Sequence, residues 1–227
     1  MKQFKYVGQL SVLLTFCAGY CDAATFFGGL GIFSAHITSN FIVFVYDLLT
    51  KADIKSWLKL ISLPVFLIAS FTAESIYSKN KDANKLLLIE SLLLLLAGGV
   101  AIVFKLWHIS TLWDIYLCTF ITVFAMSLQS AYNRLFSAAT YGPTTAMTGN
   151  VTQLAFNLEK IVKLNGPVNK ADLKKQAVLI CGFFCGAFAG GIVAKEAGLA
   201  ALVVPAVIIL YTYTELQMAT KYSNSVQ

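Results

Sequence analysis

The sequence predicts an all-α, polytopic transmembrane helix bundle of two pseudo-repeats, with six to eight membrane segments, and three observations carry that prediction. Its 227 residues are 58% hydrophobic and only 12% charged, with a mean hydropathy of +0.73, well outside the composition of soluble domains. The apolar residues are gathered into runs of about 17 to 25, the length a helix needs to cross a bilayer core of about 30 Å. A polar motif also occurs twice: Ser34-Ala35-His36-Ile37-Thr38-Ser39-Asn40 returns as Thr144-Thr145-Ala146-Met147-Thr148-Gly149-Asn150.

In chain order the apolar runs lie near 8–28, 34–50, 56–77, 86–104, 112–137, 143–164, 174–194 and 197–214. Lys2 and Lys5 precede the first run as in a signal peptide, but no small-x-small cleavage site closes it. Aromatic residues, Phe16 and Tyr20, stand before Cys17 and Cys21, which spoils a lipoprotein box, so this helix is read as retained. The second run follows Gly28-Gly29-Leu30-Gly31 and the sixth begins at Gly142-Pro143; these two are the short or interrupted ones and carry the Thr-x-Asn motifs. One membrane domain, 1–227, thus divides into a first pseudo-repeat, 8–104, and a second, 112–214, with the boundary near Lys105 to Thr111. Asn165-Gly166-Pro167 is a turn signal, Asn169 or Asp172 can cap the helix that follows, and the polar tail after Tyr213 is expected to fray.

The net charge of +6 comes from lysines between apolar runs, as the positive-inside rule produces unaided. No basic stripe with interleaved aromatics is present, which argues against nucleic acid. If all eight runs span, Lys and Arg divide twelve to five in favour of the N-terminal side, predicting a cytoplasmic N-terminus in a multi-pass protein of the cell inner membrane. A rival topology makes segments two and six re-entrant and leaves six spans in an inverted repeat; its charge count is about as good. Eight spans with a parallel repeat is preferred at this point, because 34–50 and 143–164 are long enough to cross.

Ala18-Gly19-Tyr20-Cys21-Asp22-Ala23-Ala24-Thr25-Phe26, His36-Ile37-Thr38-Ser39-Asn40, Ser127-Leu128-Gln129-Ser130-Ala131-Tyr132-Asn133-Arg134 and Met147-Thr148-Gly149-Asn150 resemble the YoaK-like family of small bacterial inner-membrane proteins, a domain of unknown function. The resemblance spans nearly the whole chain. It implies a fold and candidate sites but no activity, and the chain departs from it at Ser39, where the family usually has Gly.

The candidate site residues are the polar groups inside these spans, which are costly there unless they bind or hold something. Asp22 in the first span and Arg134 at the matching place in the fifth are placed to form an ion pair between halves, either as a staple or as a switchable part of an anion or proton site that binds the solute. Thr38, Asn40, Thr148, Asn150 and Gln129 either tie helices together, at about 1 kcal/mol each, or surround a solute at helix N-termini near the midplane. His36 is read as a hydrogen-bonding residue. Glu90, a turn and a half inside its helix, is the candidate proton carrier.

Cys17 and Cys21, with Cys181 and Cys185, could cradle a soft metal ion, but Cys is also a common small residue in packed helices. No metal and no cofactor is assigned. Gly182, Gly186 and Gly190 form a small-x-x-x-small face for a neighbouring helix of the chain or of a homo-oligomer. Nothing resembles a nucleotide loop, a Ser-His-Asp set or a zinc-protease motif, so no enzyme is expected. The leading reading is a small-molecule secondary transporter or exporter, proton-coupled through Glu90, with the two Thr-x-Asn motifs facing each other between the halves. The alternative is a non-transporting membrane scaffold or envelope-sensing protein whose polar residues serve packing alone.

Overall fold

The computed structural model describes residues 2–50, 54–108, 111–163 and 170–224, and its regular structure is helical throughout. Among the described residues there are eight α-helices: α1 Lys2–Gly28, α2 Ser39–Thr50, α3 Ser62–Asn80, α4 Asn84–Leu106, α5 Leu112–Leu135, α6 Met147–Val162, α7 Lys170–Ala197 and α8 Val203–Asn224. A 3-10 stretch, Ile54–Ile61, leads into α3, and another, Gly198–Leu202, joins α7 to α8. The expected turn at Asn165-Gly166-Pro167, the cap at Asn169 and part of the boundary between halves lie outside the described residues, whereas Asp172 sits in the first turn of α7. The tail after Tyr213 does not leave its helix at once, since α8 continues to Asn224.

Among the described residues five helical stretches are long and apolar enough to cross a membrane, the last of them, Ala171–Ala219, running from α7 into α8. Their outward faces carry large apolar side chains such as Leu67, Phe71, Phe184 and Phe188, each more than half exposed, as a lipid-facing surface requires. The chain is a membrane protein. At 1.5 Å per residue the 12 residues of α2 and the 16 of α6 rise only about 18 and 24 Å, short of a hydrocarbon core of about 30 Å. The expectation that 34–50 and 143–164 are helices long enough to cross is thus corrected. Helix starts only at Ser39 and Met147; before those residues the Ala35 and His36 amides bond Asp22 of α1, and the Tyr141 amide bonds Ser11 of α1.

α1 lies along α7, running in the same direction: Gly182 meets Thr15, Gly186 meets Phe16 and Gly190 meets Tyr20. A Cβ at Gly186 or Gly190 would fall on the Phe16 or Tyr20 backbone carbonyl, and one at Gly19 on that of Phe183. The small-residue face therefore serves packing within the chain. α5 runs against α1, since Gln129 near its C-terminal end donates to the Leu14 carbonyl at 2.9 Å while Thr119 near its start meets Gly29 at the end of α1. α3 packs on α5, where Ser127 bonds the Phe66 carbonyl and the Ser70 hydroxyl. α4 packs between α5 and α8, and its last turn sends Lys105 to the Glu196 carbonyl near the end of α7.

Candidate functional site

Two connections without α-helix, residues 29–38 and 136–146, the second with a 3-10 turn at Ser137–Ala139, fold back against α1 and α5. α1 ends where Leu30 and Gly31 take left-handed backbone, at φ 61° and 77°, reversing the chain after Gly28. The returning chain then meets Asp22. One carboxylate oxygen accepts from the Ala35 amide at 2.6 Å and, at 3.4 Å, from the His36 amide and the Ser34 hydroxyl. The other oxygen is 2.5 Å from His36 Nδ1. Asp22 is 3% exposed, so these bonds replace the water an ionised carboxylate needs. The bond to Asp22 raises the His36 pKa above its ordinary value against the lowering effect of burial, and the ring stands edge-on to Phe183 of α7.

Asn40 closes the same connection from the other side. Its Oδ1 accepts from the Phe33 amide at 2.8 Å, and its Nδ2 donates to the Phe33 carbonyl and to Ser62 Oγ of α3, each at 2.9 Å. One side chain thereby satisfies both backbone groups of a buried turn.

The second connection is held in a matching way. Asn150 Nδ2 donates to the Pro143 carbonyl, seven residues before it, at 2.9 Å, as Asn40 does to Phe33. Proline has no N–H to offer, so the Asn150 Oδ1 instead lies beside Gly142, next to Leu179 of α7. Thr144 Oγ1 accepts from Gln129 Nε2 at 2.8 Å and from Asn133 Nδ2 at 2.6 Å. Ser11 of α1 accepts from the Tyr141 amide at 2.8 Å. The match extends along the short helices. Seven residues past Asn40, Asp47 forms a buried ion pair with Lys59; seven past Asn150, Asn157 bonds Gln176 through its amide.

Of the residues singled out from sequence, Asp22, Asn40, Gln129 and Asn150 are buried at these connections. Thr38 and Thr148 point outward and are exposed. The expected ion pair between Asp22 and Arg134 is corrected: Asp22 pairs with His36, and Arg134 is exposed at the end of α5. Because α5 opposes α1, matching positions in the two helices lie toward opposite ends. Nor do Asn40 and Asn150 bond each other: Asn40 bonds Phe33 and Ser62, and Asn150 bonds Pro143 and Met147.

Glu90 is fully buried on α4, and neither carboxylate oxygen has a hydrogen-bond partner. It lies within electrostatic reach of Cys17 and Cys21 on α1. Those two cysteines face inward and Cys181 and Cys185 face outward, so the two thiol pairs do not converge.

Ser34, Asn133, Thr144, Asp47 and Lys59 were not picked out from sequence, although the seven-residue spacing Asn40–Asp47 and Asn150–Asn157 was there to be read. A further unread pattern is a buried polar stripe on each of two helices: Ser11, Thr15, Asp22 and Thr25 on α1, and Thr119, Thr122, Gln129 and Asn133 on α5.

The profile of one protein family, described as protein of unknown function (DUF1275), matches residues 10–214. The chain belongs to the DUF1275 family. No curated protein and no solved structure matches it. Both folded-back connections of this DUF1275 chain, with Asp22, Asn40, Gln129, Glu90 and Asn150, fall inside the matched region. At Gly149 an added Cβ would meet nothing within 4 Å.

Proposed function

We propose that this chain is a small secondary transporter or exporter of the inner membrane, built from two inverted repeats, 8–104 and 112–214, each with three crossings and one short re-entrant segment. The crossings are α1, α3, α4, α5, α7 and α8; α2 and α6 enter from opposite faces. The observation that carries this reading is the pair of matched connections, one held at Asp22 of α1 and the other through Gln129, which bonds both Thr144 and the Leu14 carbonyl of the same helix. Eight residues of α1 separate those positions, about 12 Å of rise, so both turns reach the middle of the bundle. Broken helices meeting near the midplane are how many transporters build a solute site.

Three further facts support it. α5 runs against α1, although each opens its half. The first helix of each half packs on a later helix of the other, α1 on α7 and α5 on α3. Lys79, Lys81, Lys85 and Arg134 join the N-terminal side while Lys51, Lys55, Lys59 and Lys105 leave it, which keeps the division at twelve to five and the N-terminus cytoplasmic.

In this mechanism the solute displaces part of the bonding around Asp22 and Asn40 on one side and around Gln129, Asn133, Thr144 and Asn150 on the other. Loosening one connection at a time would open the site alternately to each face. Glu90, with no partner to balance an ionised carboxylate, carries the proton and gives it up when movement of α1 against α4 admits water.

Single cysteines at Ala35 and Thr145 in a Cys-less chain test the reading with a small membrane-impermeant thiol reagent. Reaction at each position from one face only, changed by Asp22→Asn, is the expected result. Protection of both positions under all conditions, in a folded and inserted protein, would leave the polar groups a packing role and favour the non-transporting scaffold.

A further inference from the structure

We propose that the cavity between the end of α1, α2, the 3-10 stretch Ile54–Ile61 and the start of α5 holds the zwitterionic head of a bilayer phospholipid, with its ammonium on Asp47 and its phosphate on Lys59. The cavity has a volume of about 610 Å³, with apolar walls including Phe26, Ile42, Val43 and Leu112, and contains the Asp47–Lys59 pair. The two side chains are 7% and 5% exposed.

A buried ion pair is costly to assemble, because desolvation offsets much of its attraction. The fold does not demand one here. At the matching place Asn157 and Gln176 tie α6 to α7 with neutral amides. The charges on the first half therefore call for another use.

Opposite charges side by side complement a ligand that carries both. A purely anionic head would gain Lys59 but be opposed by Asp47, and a cationic head the reverse. The depth also fits. Trp57 and Trp113, both more than half exposed, stand on the 3-10 stretch and at the start of α5, and such side chains favour the headgroup level of a bilayer. Ile42, Tyr46 and Leu112 carry the cavity wall onto the exposed apolar surface, which gives acyl chains a way into the bilayer and favours a lipid over a free zwitterion. The inference does not rest on the transport reading.

The test is native mass spectrometry of the full chain extracted from vesicles of equal phosphatidylethanolamine and phosphatidylglycerol. The wild type is expected to retain phosphatidylethanolamine about tenfold over phosphatidylglycerol. The double variant Asp47→Asn/Lys59→Gln, which copies the amide pair of the second half, should lose that preference while keeping its helix content. If it fails to fold, Val43→Phe, which fills the cavity and leaves the pair in place, should lose the preference instead. Equal retention of the two lipids by the wild type, or an undiminished preference in the folded variants, overturns the proposal. So does displacement of the lipid by soluble phosphoethanolamine at an equal concentration, which would make the ligand a free zwitterion.

Discussion

Asn40 and Asn150 occupy matching places but make unequal sets of bonds. Asn40→Ala orphans both backbone groups of Phe33 and a bond to Ser62, whereas Asn150→Ala frees chiefly one carbonyl. Unfolding in detergent should therefore show a loss of about 2–4 kcal/mol for the first and about 1 kcal/mol for the second. The Asp22–His36 pair gives a pH dependence. Its imidazole is raised above the usual value of about 6.5, so the stabilisation is complete below that value and is lost as pH rises through the raised one. Melting temperature should fall over that interval in the wild type and stay flat in Asp22→Asn. At this scale the sequence singled out Asp22, Asn40, Gln129, Glu90 and Asn150, all buried in the structure, because ionisable or amide groups inside apolar runs are conspicuous. Thr38 and Thr148, singled out with them, are exposed. In α6 residues two apart lie about 200° apart, so Thr148 faces away when Asn150 faces in; Thr38 stands just before α2.

The closest helix pairing is α1 on α7, where glycine lets backbones touch. Gly186→Leu would drive a side chain into the Phe16 carbonyl, and folded protein recovered from the membrane should fall severalfold, by the strain of overpacking. Gly149→Ser, where a Cβ meets nothing, should leave recovery and melting unchanged. The long helices were legible because apolar runs of bilayer length have few other uses. The starts of α2 and α6 were not, since residues 33–37 and 141–146 are mostly apolar or small and the amides of Ala35, His36 and Tyr141 find their partners on α1. The Thr111–Asp114 capping box that opens α5 is a local signal that the periodicity reading passed over.

Across the whole molecule, the recurring motif suggested a duplication but carried no sign of its orientation. Both topologies divide Lys and Arg twelve to five, so charge bias cannot choose between them. What separates them is the direction of α5 relative to α1, set by contacts such as Gln129 to Leu14 and Gly29 to Thr119, which join residues far apart in sequence. The inverted arrangement puts the C-terminal ends of α2 and α6 on opposite faces, whereas eight parallel-repeat spans put both on one face. The decisive measurement is labelling of single cysteines at Thr50 and Lys163, exposed residues at those two ends, with a membrane-impermeant thiol reagent applied to intact cells. The inverted repeat predicts that Thr50→Cys reacts from outside and Lys163→Cys only after the membrane is opened; reaction of both from the same face would contradict it.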